Sequence, residues 1–129
     1  MKYGGVLLEQ NLDYTVSYQN HIKPGTAKVI INGIGNYSGT YTRTFIIIPA
    51  KVISLKQTTI YSSASIKMSW TKAIGVSGYT IYHAASKNGT YSVVKAVTTN
   101  SYTHTGIKSG SKYYYKVRAY TLINGKKVY

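Results

Sequence analysis

The chain has no cysteine. Disulfides, thiolate metal sites and a cysteine nucleophile are thereby excluded. Acid is nearly as scarce, since Glu9 and Asp13 are the only carboxylate side chains among 129 residues. Hydrolytic acid–base chemistry needs a carboxylate pair or an equivalent set of groups. Read as extended chain at ~3.3 Å per residue, these two lie more than ~12 Å apart, so they read as solvated or turn carboxylates. A Ser-His-Asp set would have to combine His21, His83 or His104 with Asp13, and no G-x-S-x-G elbow presents a serine. Three scattered histidines make a poor metal site, and calcium would need acidic, oxygen-rich loops that the sequence does not have. The expectation is no catalytic residue, no cofactor and no metal. Long apolar runs are also missing. The longest, Phe45 to Ile48, is strand length and far short of the ~20 residues of a membrane helix. Met1-Lys2-Tyr3-Gly4-Gly5 carries no apolar stretch of the kind a signal peptide needs.

What is abundant is tyrosine: 15 residues, against one Phe and one Trp. A phenol with an apolar ring and a polar tip suits half-buried strand positions. Thr, Val, Ile and Ser are common while Glu, Gln and Leu are sparse, so the composition reads as β. The hydrophobic pattern agrees, because its period is two along most of the chain. Tyr14, Val16 and Tyr18 alternate with polar residues, as do Ala27, Val29 and Ile31, and then Tyr41, Arg43, Phe45 and Ile47. Residues 1–48 thus hold about three strands, too few for a closed sandwich. From position 52 onward seven short strands are expected: one begun by Val52, Ser54 and Lys56, one through Ile66, Met68 and Trp70, one through Tyr79, Ile81 and His83, then Tyr91 to Lys95, Ser101 to Thr105, Lys112 to Tyr120, and Lys127 to Tyr129. Asn88-Gly89 and Asn124-Gly125 mark tight turns. No segment keeps a helical period. The pattern predicts an all-β protein with an immunoglobulin-like β-sandwich.

Residues 52–129 resemble a fibronectin type III domain. Trp70 falls where that family places its core indole. Ile107-Lys108-Ser109-Gly110-Ser111-Lys112-Tyr113 is similar to the family's L-x-P-G-T-x-Y, with Ser109 in place of proline and Ile107 in place of leucine. The resemblance implies that Tyr113 is a tyrosine corner, its hydroxyl bonded to nearby backbone. Residues 1–50 resemble the C-terminal part of a bacterial Ig-like repeat, through Asp13-Tyr14-Thr15-Val16-Ser17-Tyr18, Gly25-Thr26-Ala27 and Gly35-Asn36-Tyr37-Ser38-Gly39-Thr40. In that family two strands precede these motifs, so 1–50 is expected to be a truncated β segment ahead of a complete 51–129 domain. Both resemblances imply a structural or spacer module of a secreted or cell-surface, multi-domain protein of a Gram-positive bacterium, with neighbouring domains as its partners.

Charge supplies the other hypothesis. Residues 1–50 hold four cations and both acids, whereas residues 51–129 hold eleven Lys and Arg118 with no acid, a net of +12. Such a field favours anionic partners. By alternation, Tyr114, Lys116, Arg118 and Tyr120 share the outward face of one long strand. That interleaving marks a candidate face for anionic cell-wall polymers or glycans. A soluble, edge-protected β surface would show lysines as well, and no recognised nucleic-acid motif accompanies the charge.

Overall fold

The computed structural model describes residues 1–129. They divide into two compact units, Met1–Ile47 and Ile48–Tyr129.

In the first unit, a small hairpin joins β1 (Lys2–Tyr3) to β2 (Val6–Leu7). An antiparallel sheet follows, in the order β3 (Tyr14–Gln19), β4 (Gly25–Gly33), β5 (Thr40–Ile47). The three longer strands are those the alternation predicts. The hairpin is not, because two-residue strands are too short to display a period. Register places Val16 opposite Ile31, Tyr18 opposite Val29, Ile31 opposite Tyr41, and Ala27 opposite Phe45. The apolar residues therefore share one face of the sheet. Leu8 and Ala27 are the only buried hydrophobic side chains of this unit. The chain between Glu9 and Asp13 is not extended as expected. The Asp13 N–H donates to the Glu9 carbonyl at 2.9 Å, and the Asp13 carboxylate accepts the Glu9 N–H at 2.9 Å. Asn11, in the left-handed region at φ 69°, makes this reversal.

In the second unit seven strands form two antiparallel sheets. One has the order β10 (Ser101–His104), β7 (Ser65–Ser69), β6 (Lys56–Ile60). The other has the order β12 (Lys126–Val128), β11 (Tyr114–Ile123), β8 (Gly78–Ala84), β9 (Ser92–Val97). The first strand starts later than its pattern predicts. Ser54 adopts φ 58°, which breaks the extended run, so 51–55 lie outside any strand. Val52 and Leu55 still pack on the core. The Asn124-Gly125 turn does match its sequence signal: both residues have positive φ, 51° and 77°, and join β11 to β12.

The core lies between the two sheets. Ile66 and Met68 come from β7, Tyr79 and Ile81 from β8, and Tyr115, Val117 and Ala119 from β11. Trp70, one residue past β7, is 3% exposed and meets Tyr79 edge to face at 5.2 Å. Such aromatic pairs contribute ~0.5–1.5 kcal/mol beyond the area they bury. The Trp70 backbone is anchored at both groups: its N–H donates to the Asn100 carbonyl at 3.1 Å, and its carbonyl accepts the Asn100 side-chain amide at 2.9 Å. The Tyr79 hydroxyl accepts the Ala73 N–H at 2.7 Å and fixes the loop after Trp70.

A candidate ligand face and a half-buried histidine pair

Register decides what stands on the outer side of the larger sheet. Lys116 is opposite Tyr82, Arg118 opposite Thr80, and Tyr120 opposite Gly78, while β12 sets Lys127 opposite Leu122. The even-numbered residues of β11 therefore point away from the core, as their alternation predicts. The rings and cations on this side are matched in pairs. The Lys116 ammonium lies 4.1 Å above the Tyr91 ring, the Arg118 guanidinium 4.3 Å above Tyr129, and the Lys127 ammonium 4.6 Å above Tyr120. Each is an attraction between a cation and the negative face of an aromatic ring. With no acidic side chain in this unit, rings are the attractive seats open to these cations.

Of the four residues assigned to this face, Lys116 and Arg118 are exposed and Tyr114 is half-buried. Tyr120 differs from expectation, being only 7% exposed. Its ring lies over Gly78, where an added Cβ would sit 2.6 Å from the Tyr120 hydroxyl, and Tyr129 meets it edge to face at 6.2 Å. Alternation fixes which side of a sheet a residue takes, but a neighbouring glycine decides whether a ring on that side lies down and is covered. Tyr120 is therefore a platform beneath Lys127 and offers no free stacking surface. Tyr91 and Tyr129 were not among the assigned residues, because they come from other strands. The signal for Tyr129 was present, since the Asn124-Gly125 turn carries Lys127 and Tyr129 alongside β11.

The Tyr129 ring is held by more than Arg118, with its hydroxyl 3.0 Å from Thr80 Oγ1. Partial burial pushes the Tyr129 phenol upward. Hydrogen bonds from Thr80 and Tyr82 and the charges of Lys127 and Arg118 outweigh this and leave it below the ordinary tyrosine value. Tyr82 moves the opposite way, first through burial and then through its bond to Tyr129.

His83 and His104, read as sheet-face residues, meet between the two sheets with ring centroids 5.8 Å apart. His104 Nδ1 is 2.8 Å from the Tyr115 hydroxyl, and His83 stacks on Tyr113 at 5.3 Å. Tyr102 on β10 stacks against His104 at 6.5 Å. Burial, followed by the charges of Tyr113 and Tyr102, pushes the Tyr115 phenol up to about 12. His104 is lowered from 6.5 by burial and then by His83. The folded state thus binds this proton more weakly than the unfolded chain does. The associated stability is complete above about pH 6.5 and is lost as pH falls through the depressed folded value. The melting temperature is accordingly expected to drop between pH 7.5 and pH 5, and His104→Gln to flatten that drop. A wild-type melting temperature constant across this range would refute the assignment. Asp13 belongs to the first unit, where His21 is exposed beside Tyr18. The unit that holds the two histidines has no acidic side chain of its own. The tyrosine corner is in place: the Tyr113 hydroxyl accepts the Lys108 N–H at 2.8 Å, within the motif that implied it.

Architecture and core define the second unit as a fibronectin type III-like sandwich in an all-β chain. Comparison with a solved bacterial structure supports this. A Fn3-like protein from Clostridium thermocellum is similar at 29% sequence identity and TM-score 0.55, covering 63% of this chain and 83% of that one. Domains A168–A170 of titin align over 92% of this chain and 46% of theirs, at 17% identity and TM-score 0.49. No family profile and no curated protein matches the sequence.

Proposed function

We propose that the chain is a non-catalytic structural module of a secreted or cell-surface, multi-domain bacterial protein, in which it spaces neighbouring domains. The observation that carries this reading is where the polar side chains of the second unit are used. The hydroxyls of Tyr79 and Tyr113 tie loops to the core, and Asn100 clamps the backbone of Trp70. These groups hold a shape. Similarity to a clostridial Fn3-like protein supports a bacterial, Gram-positive setting. In this reading residues 1–50 belong to a bacterial Ig-like repeat. Antibodies raised against the recombinant chain are expected to label intact cells of the source organism. Labelling only after lysis would overturn the extracellular assignment.

A second reading is favoured by the row of ring-seated cations: the module also holds anionic wall polymers or glycans. Pull-down on purified cell walls across a salt series separates the two. Retention that weakens steeply with salt supports binding, because exposed charge contacts are screened. No retention at low salt leaves the spacer alone.

A further inference from the structure

We infer that the outer face of the β12-β11-β8-β9 sheet is a binding site for an extended acidic polysaccharide, gripped by Lys116, Arg118 and Lys127. This rests on the second reading above and narrows it to an acidic polysaccharide held by these three cations.

The unit carries twelve cations and no acidic side chain, so none of these cations is paired with one. Three of them are seated on aromatic rings, and all three are on this face. Lys116, Arg118 and Lys127 rest on the rings of Tyr91, Tyr129 and Tyr120. The rings are themselves fixed: the Tyr91 hydroxyl donates to the Lys87 carbonyl at 2.9 Å, Tyr129 pairs with Thr80, and Tyr120 is buried over Gly78. A cation seated on a ring keeps its outward N–H donors free for an anion. Part of the ordering cost of a flexible side chain has then been met before the ligand arrives.

Geometry selects the ligand. Lys116 and Arg118 are two residues apart on one face, and Lys127 stands opposite Leu122. At ~3.3 Å per residue the row runs ~20 Å along β11. A single small anion reaches one cation of this row, whereas a linear polymer with recurring acidic groups reaches all three. The rings are capped by cations, and Tyr120 is covered, so flat bases gain little by stacking here. Charge and hydrogen bonding remain, which suits the carboxylates and hydroxyls of an acidic glycan better than a nucleic acid.

The test compares full-length protein with two charge-matched triple variants: Lys116→Gln/Arg118→Gln/Lys127→Gln on the face, and Lys56→Gln/Lys67→Gln/Lys72→Gln elsewhere in the unit. All six positions are exposed, and circular dichroism melts check that both variants fold. The probe is polygalacturonate, with galacturonate monomer, neutral dextran and a single-stranded oligonucleotide as comparison arms. The face variant is expected to lose about tenfold in affinity and the control variant less than about threefold, since three exposed charge contacts are removed in one and none in the other. Monomer and dextran are expected not to bind, and the oligonucleotide to bind more weakly than the polymer. Equal losses in both variants would overturn the site while leaving anion binding by net charge intact. Tighter binding of the oligonucleotide would overturn the ligand class. No binding of polygalacturonate by the unmodified protein at low salt would overturn the inference, while retention on cell walls in the pull-down would still uphold the second reading.

Discussion

Trp70→Ala is expected to destabilise the Ile48–Tyr129 unit by about 3–5 kcal/mol, the usual range when a large aromatic side chain is removed from a packed core. The residue is 3% exposed and contacts the fully buried Tyr79. Its removal opens a cavity between sheets that are pinned by their own hydrogen bonds and cannot close over it. A loss of this size is a large fraction of the stability of a small domain, typically ~5–15 kcal/mol. Urea denaturation followed by far-ultraviolet circular dichroism would measure it; fluorescence would not serve, because the variant lacks the chain's single indole. A change below about 1 kcal/mol would contradict the central placement of Trp70. Trp70→Phe is expected to cost less. Phenylalanine retains a ring, and it removes an indole Nε1–H that is buried with no protein partner.

The second large effect concerns the two halves of the chain. A peptide of residues 48–129 is expected to fold alone and melt cooperatively. A peptide of residues 1–47 is expected to show no sharp thermal transition. The difference is buried apolar area. The second unit encloses a core of eight residues, from Ile66 to Ala119, with further half-buried side chains packed around it. The first buries only Leu8 and Ala27, while Tyr18, Tyr41 and Phe45 stay exposed. Ordering a residue costs ~1–2 kcal/mol of backbone entropy, and so small a buried area does not offset that over 47 residues. Calorimetry on the two peptides decides it. A cooperative melt of the 1–47 peptide would mean that so small a buried area is enough to hold its sheet.

Some of the candidate site was legible before folding and some was not. Alternation put Lys116 and Arg118 on the outer side of their strand, and register agrees. It could not show that Tyr120 lies flat and covered, since that follows from Gly78 on the adjacent strand. Nor could it pair Lys116 with Tyr91, or His83 with His104. These partners are 25 and 21 positions apart in the chain and meet only through strand order and sheet stacking. The start of β6 was misplaced for a local reason. Ser54 takes a left-handed conformation that an apolar-polar pattern does not reveal.

Sequence alone settled the β class, the excess of positive charge, the shared strand face of Ile66, Met68 and Trp70, and the turn at Asn124-Gly125. Each rests on local physics: a period of two, residue chemistry, or a backbone conformation favoured by particular side chains. The tertiary structure alone decided which rings sit beneath which cations and which histidines meet between the sheets. Those outcomes depend on which strands become neighbours, and neighbourhood across a sheet or between sheets is a property of the whole chain's packing.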